Sequence, residues 1–176
     1  MTFRLADSLP KTVEENLRFE RKDIIQTASR LGRPLTRHEE SRIRALYSEK
    51  VEKYLGQGLG KSWMHEDRIA RIVAEALAFF NGDRYRLRAW CVMPNHVHAV
   101  LEPLSGHDLP EILLAWNSFR GKEINRVLCA RGRIWETEYY DHLIRDERDL
   151  RAQIEYVLAN PRKSGLENWK WVGAAR

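Results

Sequence analysis

The stretch that decides the fold is WCVMPNHVHAVLEPL, residues 90–104, in which two strand-like runs flank a Pro-Asn turn. Such a pattern predicts a β-hairpin. Because side chains at i and i+2 of a strand point to the same face of a sheet, His96 and His98 project together, while Val97 points to the other face. The hairpin therefore presents two imidazoles side by side, and we expect them to face a wet surface.

The elements on either side of this hairpin alternate between helix and strand. The order strand, helix, strand, strand, helix, strand, helix predicts an α+β, ferredoxin-like (RRM-like) antiparallel sheet, with two helices on one face and the last helix free to cover the other. The segments are TFRLADSLP (2–10, strand), MHEDRIARIVAEALAFF (64–80, helix), DLPEILLAWNSFRGKEINRVL (108–128, helix), RIWETEYYDHLIR (133–145, strand) and ERDLRAQIEYVLANP (147–161, a helix stopped at Pro161).

A polar, strongly helical stretch at approximately residues 12–56 interrupts this order after the first strand. Gly32 and Pro34 break it into two helices, and Thr36 followed by Glu39 predicts a capping box at the start of the second. We interpret residues 1–176 as a single domain with this helical hairpin inserted, and its charges as a solvated face.

Composition narrows the class of protein. The 176 residues are 43% hydrophobic and 31% charged, which indicates a globular chain rather than a disordered one, and no apolar run is long enough for a membrane span. Cys91 and Cys129 have no metal-like spacing and are interpreted as buried free thiols, which together with the lack of a signal peptide favours the cytoplasm. A net charge of +5 favours polyanionic partners such as nucleic acid.

The last predicted helix adds a possible nucleophile. Tyr156 and Asn160 are four residues apart, so they share a helix face. A tyrosine hydroxyl attacks a phosphate only when that phosphate is polarised, and a divalent metal ion held by His96 and His98 would do this. The side-chain oxygen of Asn160 would complete the metal shell. The alternatives are two ordinary strand histidines, a tyrosine packed on the sheet and a polar residue at a helix end.

These motifs together resemble the single-tyrosine HUH transposases, and most closely their REP-associated (IS200-like) branch. The hairpin WCVMPNHVHAVLEPL is followed about sixty residues later by Tyr-x-x-x-Asn-Pro within YYDHLIRDERDLRAQIEYVLANPRKSGL. TFRLADSLP and GKSWMHEDRIARIVAEAL are similar to the same branch, and the helical insertion is the least diagnostic part. The resemblance implies that His96 and His98 are metal ligands, that Tyr156 is the nucleophile and that Asn160 stands at a further ligand position.

The resemblance also implies an activity. Such enzymes use Mg²⁺ or Mn²⁺ to cleave single-stranded DNA at hairpin-forming palindromic repeats, leaving a 5′-phosphotyrosine and a free 3′-hydroxyl, and they rejoin strands by the reverse reaction. We expect a monomer or a homodimer, and no membrane partner. The predicted phosphate contacts are Arg120 and Lys122 on the second helix of the fold, and Arg162 and Lys163 after the last one.

Aromatic residues supply further candidates for contact with DNA. Trp116, Trp169 and Trp171 are able to stack bases, although packing is the favoured interpretation. Tyr139 and Tyr140 are adjacent on a predicted strand, so they point to opposite faces. We interpret them and His142 first as sheet-face residues, with His142 a secondary candidate for a place near the DNA.

Two other functions stay open at this stage. The chain fits a catalytically silent, domesticated protein that binds single-stranded DNA or RNA, and a replication-initiation or relaxase nuclease with the same metal site. Members of the REP-associated branch usually have several residues before TFRLADSLP, so we expect a truncated or late start. Short palindromic repeats beside the gene would favour the transposase.

Overall fold

A four-stranded antiparallel sheet forms the centre of the protein. The structure, a computed structural model, describes residues 1–174, and of their side chains all but those of residues 44, 47–49 and 119. The spatial order of the strands is β1-β3-β2-β4. They are β1 (Thr2–Arg4), β2 (Tyr85–Val92), β3 (His96–Pro103) and β4 (Val172–Ala174).

The helices fall into the inserted group and the group that covers the sheet. A π-helical turn, Leu46–Val51, joins α2 to α3, and a single 3₁₀ turn, Trp63–His65, precedes α4. Among the described residues, no helix has the length and apolar character that a membrane crossing requires. The helices are α1 (Lys11–Arg30), α2 (Arg37–Ala45), α3 (Glu52–Leu55), α4 (Asp67–Phe79), α5 (Leu109–Val127) and α6 (Glu147–Lys163).

Both faces of the sheet are buried, as the ferredoxin-like prediction requires. Val97 of β3 packs in the main core with Ile69 of α4 and Ile112 of α5. On the opposite face, Val100 of β3 packs in a second core with Val157 of α6. The predicted α+β fold is confirmed, including the position of the last helix on the face that the other two leave free.

A register shift in β2 lets one strand serve both cores. The pairing with β3 is interrupted between Leu87 and Ala89. Leu87 belongs to the main core, whereas Ala89 and Cys91 belong to the core under α6. A β-bulge adds one residue to a strand and so changes the face to which the following side chains point.

The predicted fourth strand, residues 133–145, is wrong as a regular strand. It makes only isolated bridges to β1 and the chain beside it, Thr2 with Tyr140 and Leu5 with Trp135. Between them the Thr137 N–H donates to the side chain of Glu136 at 2.8 Å, so a local hydrogen bond replaces a ladder bond. The Trp-rich tail instead supplies β4, which pairs with β2 at the other edge.

Two smaller sequence predictions are also corrected. Helix α6 does not stop at Pro161 but continues to Lys163, because a proline this close to the helix end costs only one backbone bond, that to the Val157 carbonyl. Cys91 is buried as predicted, whereas Cys129 is exposed in the turn that follows α5.

The helical insertion has its own small core and docks on the hairpin turn. Its buried residues include Leu17, Leu46 and Leu55. The capping box forms: the Glu39 N–H donates to Thr36 Oγ1 at 3.2 Å, and the Thr36 N–H donates to Glu39 Oε2 at 2.8 Å. At the end of the insertion, α3 lies beside the start of β3, close to the paired histidines.

Candidate active site

The two histidines of the hairpin meet on one face of β3. Their Nε2 atoms are 3.0 Å apart, and their rings are nearly perpendicular, at 85°. Two ligands about 2.1 Å from one ion and at right angles to each other lie about 3 Å apart, which is the geometry of neighbouring ligands in an octahedral site. The separation therefore fits two ligands of a single divalent ion.

The hydrogen bonds of Asn95 fix the tautomer of His96. Asn95 Nδ2 donates to the carbonyl oxygens of Leu55 and Leu59, at 3.4 and 3.1 Å, so its Oδ1 is the atom that faces His96 Nδ1 at 2.7 Å. Nδ1 must then hold the proton and donate it. His96 Nε2 is left with a free electron pair, which is what a metal-ligating imidazole requires.

The contact between the two Nε2 atoms needs a positive centre. His96 Nε2 is an acceptor, so a second bare nitrogen at 3.0 Å would repel it. Either His98 Nε2 donates a proton to it, or a cation lies between the two. His98 Nδ1 is 2.8 Å from Thr2 Oγ1, a hydroxyl able to donate or accept, so both arrangements are available.

Glu52 is the third group of the cluster, and sequence reasoning missed it. One ligand atom each from Glu52, His96 and His98 can be chosen so that all lie within 4.8 Å of one another. Glu52 Oε2 is 3.8 Å from His98 Nε2. The residue begins α3 of the insertion, whose charges we interpreted as a solvated face. No local motif signals it, because only the docking of α3 on the hairpin brings it to the histidines.

The site is drier than the sequence suggested. His96 and His98 are 2% and 1% exposed, so the expectation of a wet surface was wrong. Burial lowers the pKa of His96 to about 3. Burial, followed by the neighbouring His96, holds the pKa of His98 well below its usual range. Both imidazoles are therefore neutral near pH 7, the form that binds metals. Two neutral imidazoles and one carboxylate fit a divalent cation with room for further ligands.

Tyr156 stands beside this cluster on α6. Its ring centroid is 5.5 Å from that of His98, with the planes at 82°. Its hydroxyl is within hydrogen-bonding reach of the Glu52 carboxylate and of the Asn160 amide. Burial, and then the charge of Glu52, hold the pKa of Tyr156 well above its usual range, whereas Asn160 lowers it. The resting nucleophile is thus the neutral phenol.

Asn160 and Lys163 follow Tyr156 along the same side of α6. Asn160 is buried, and its amide is directed at the tyrosine hydroxyl, the only printed partner of its side chain among the residues that the structure describes. Lys163 Nζ lies 4.9 Å from the centroid of the Tyr156 ring. Its charge also lowers the pKa of Glu52, which burial raises. The nucleophile therefore lies between an anionic carboxylate and a cationic ammonium group.

Arg120 corrects one predicted DNA contact. Its side chain is completely buried, with Nε donating to the Trp116 carbonyl at 2.8 Å, and its guanidinium lies 4.4 Å from the Phe3 ring centroid. Burial lowers the pKa of Arg120 to about 9. A phosphate cannot reach this group, which packs between aromatic rings of the main core.

The other predicted DNA contacts are accessible but are not all near the nucleophile. Arg162 and Lys163 are exposed at the end of α6. Lys122 is exposed on α5, which packs on the sheet face opposite the histidines. The favoured packing interpretation holds for the tryptophans, since Trp116 is buried and Trp169 Nε1 donates to the Val92 carbonyl at 2.7 Å.

A cavity of about 470 Å³ opens next to the nucleophile. This volume lies within the range of pockets that bind small ligands. Residues from β1, β3, α3, α6 and the segment after Trp135 line it, among them Thr2, Glu52, His98, Tyr140, His142 and Tyr156.

An antiparallel ferredoxin-like sheet with two histidines beneath a helix-borne tyrosine has the arrangement of the single-tyrosine HUH class. No protein-family model matches the chain. The chain resembles the REP-associated tyrosine transposases: it is 28% identical over 81 residues to the one from Escherichia coli strain K12, and 29% identical over 97 residues to a putative one from Haemophilus influenzae.

These sequence matches are partial. They cover 46% and 47% of this chain, and 47% and 55% of the two relatives, so the chain spans about half the length of the curated relatives it matches. A solved REP-associated tyrosine transposase, bound to a REP hairpin, shares the fold with a TM-score of 0.51 and 23% identity, over 64% of this chain and 68% of that one.

Proposed function

We propose that the protein is a metal-dependent tyrosine transposase, which cleaves and rejoins single-stranded DNA at hairpin-forming repeats through a covalent bond to Tyr156. The observation that carries the proposal is the position of the Tyr156 hydroxyl, beside the cluster of Glu52 and the two neutral histidines. The solved relative bound to a REP hairpin supports the class of substrate. An enzyme of chromosomal DNA would work in the cytoplasm.

His96, His98 and Glu52 would hold the divalent ion, Mg²⁺ or Mn²⁺. The ion, when bound, would polarise the scissile phosphate as a Lewis acid. The two imidazoles need no deprotonation to serve as ligands near pH 7, because burial already keeps them neutral. Asn95 keeps the ligating nitrogen of His96 unprotonated.

Tyr156 would attack the phosphorus atom and leave its 5′-phosphate attached to the phenol oxygen. Glu52 is within hydrogen-bonding reach of the hydroxyl, and burial raises the pKa of its carboxyl, so it is suited to accept the phenolic proton. The phosphotyrosine bond conserves the energy of the broken phosphodiester. Attack by another 3′-hydroxyl then rejoins the strands without an added energy source.

Asn160 and Lys163 would assist the nucleophile. An amide that donates to the phenol oxygen stabilises the charge that develops there during attack, so we assign Asn160 first to Tyr156, with metal coordination as the alternative. Lys163, with Arg162 beside it, would bind the phosphates that flank the cleavage position, and Lys122 would bind a more distant part of the DNA.

The test uses a labelled hairpin oligonucleotide with Mg²⁺ or Mn²⁺ and a denaturing protein gel. The wild type should give a protein–DNA adduct and a fragment that ends in a 3′-hydroxyl. Tyr156→Phe removes one oxygen and should lose the adduct while still binding the hairpin, whereas the control Tyr139→Phe should keep both. An adduct formed by Tyr156→Phe at the wild-type level would refute the assignment. Hairpin binding with no adduct from the wild type would favour the catalytically silent alternative.

A further inference from the structure

The proposed cleavage leaves a proton unaccounted for, and this inference rests on that proposed function. When Tyr156 attacks, the bond from phosphorus to the 3′-oxygen breaks. The departing oxygen is an alkoxide, a poor leaving group unless an acid protonates it. In the reverse reaction, the attacking 3′-hydroxyl must lose the same proton. A residue that exchanges this proton should line the cavity beside the nucleophile.

Among the described residues, the titratable side chains that line this cavity are few. Glu52 and His98 belong to the metal cluster, and Tyr156 is the nucleophile. Two remain, Tyr140 and His142. A phenol is ordinarily a much weaker acid than an imidazolium, so a histidine is better matched to proton exchange near neutral pH. His142 is therefore the lining residue whose chemistry fits the leaving oxygen.

A carboxylate holds His142 in a defined orientation. His142 Nε2 is 3.1 and 2.9 Å from the two carboxylate oxygens of Asp149. Asp149 is itself fixed at the start of α6, because its N–H donates to Asp146 Oδ1 at 2.8 Å and its Oδ2 accepts the Arg145 N–H at 3.3 Å. The hydrogen bond from His142 is also the largest of the causes that lower the pKa of Asp149.

The pairing decides which ring nitrogen is free. Since Nε2 donates to Asp149, Nδ1 is the atom left to exchange a proton with a ligand. A carboxylate that orients a histidine and stabilises its charged form is a recurring arrangement for general acid–base catalysis. His142 is partly exposed and lies on the segment that follows the bridge of Trp135, so it sits at the rim of the cavity rather than beneath it.

We propose that His142, positioned by Asp149, is the general acid for strand cleavage and the general base for strand rejoining. In cleavage, the bond from Tyr156 Oη to phosphorus forms and the bond from phosphorus to O3′ breaks. The phenolic proton passes to Glu52, and the imidazolium of His142 gives its proton to O3′. In rejoining, neutral His142 takes the proton of the attacking 3′-hydroxyl, and Glu52 returns a proton to Tyr156.

The experiment compares two hairpin oligonucleotides that differ in one atom. One has the natural 3′-oxygen at the scissile phosphate, and the other has a bridging 3′-sulfur, which leaves as a thiolate and needs no acid. His142→Ala should slow adduct formation on the oxygen substrate by about 100-fold, the scale of general acid catalysis, and should form adduct on the sulfur substrate at the wild-type rate. The exposed His38→Ala is the matched control and should match the wild type on both.

Two further variants separate chemistry from structure. His142→Gln keeps a side chain able to bond Asp149 but has no acid, so it should show the same selective loss. Asp149→Asn, which changes a positioning residue, should show a smaller loss with the same rescue by sulfur. Equal slowing of His142→Ala on both substrates, or no slowing on either, would overturn the inference while leaving the proposed function intact. A wild type that forms no adduct with either oligonucleotide would overturn both.

Discussion

Glu52 and His98 are 46 residues apart in the sequence, yet Glu52 Oε2 lies 3.8 Å from His98 Nε2. The helical insertion is thus part of the candidate active site and not a peripheral addition. Asn95 explains how this is achieved, since one side chain bonds both the Leu55 carbonyl of the insertion and the ring of His96. Any variant of the insertion that weakens this docking should also disturb the histidines.

The first prediction concerns the third metal ligand. Glu52→Gln keeps the shape of the side chain but loses its charge, so affinity for Mn²⁺ should fall by at least about 10-fold, the lower limit seen when even an indirect contact of a metal site is removed. Isothermal titration with Mn²⁺ measures it. Glu155→Gln, an exposed change on α6, should leave the affinity unaltered. Equal affinities for all three proteins would remove Glu52 from the site.

The second prediction concerns acid stability without metal. The folded state keeps His96 neutral down to a pKa of about 3, whereas the unfolded chain protonates it near 6.5. The unfolded state therefore binds more protons in that window, and stability falls as the pH drops from 6.5 toward 3, by about 1.4 kcal/mol per pH unit for each such histidine. Denaturant unfolding in EDTA measures the slope.

The variants for this slope are matched. His96→Gln should reduce the dependence of the unfolding free energy on pH over this window, whatever it does to stability at pH 7. His38→Gln, on the exposed surface of the insertion, should keep the wild-type slope. An unchanged slope in His96→Gln would mean that the buried histidine is already protonated in the folded state.

The third prediction separates packing from charge at Arg120. Truncation by Arg120→Ala empties space between Phe3 and Trp116 and should destabilise the fold by about 3 kcal/mol. Arg120→Met fills much of that space without a buried charge and should be close to neutral in stability. Thermal unfolding distinguishes them. Neither change should weaken hairpin binding by the folded protein, and a selective loss of binding in Arg120→Met would restore the original DNA-contact assignment.

The fourth prediction concerns the salt dependence of DNA binding. A protein that releases counterions from phosphates loses affinity steeply as salt rises, and each lost contact reduces the logarithmic slope by about 0.7 for a single strand. Lys163→Ala should weaken hairpin binding and show such a reduction. Fluorescence anisotropy across salt concentrations measures it, with the exposed Lys22→Ala on α1 as the control. A slope identical to that of the wild type would place Lys163 away from the phosphates.

Local patterns predicted the parts of the site that depend on local geometry. The shared face of His96 and His98 follows from the two-residue period of a strand, and the alignment of Tyr156 with Asn160 follows from the helical turn. Glu52 could not be predicted, because its place depends on how a remote helix docks. Its charge favours solvent in an isolated helix, and only tertiary contact brings it to the histidines.

The edges of the sheet were the least predictable part of the fold. The segment around Trp135 and Tyr140 has the composition of a strand, but the side chain of Glu136 accepts the Thr137 N–H and breaks the ladder. The tail residues Val172–Ala174 form a strand that no alternation announced, because β4 is only three residues long. Short edge strands are determined by their partner strand and not by their own sequence.

The 3.0 Å contact between the imidazoles implies that an arriving ion causes an exchange of tautomers. Without a cation, the shared proton belongs to His98 Nε2, and Thr2 Oγ1 donates to Nδ1. An arriving ion would drive that proton across the ring to Nδ1, and the threonine hydroxyl would turn from donor to acceptor. Loading therefore leaves the proton count of the imidazoles unchanged. The nitrogen-15 chemical shifts of His98 would exchange places, so one residue of the first strand reports occupancy of the centre.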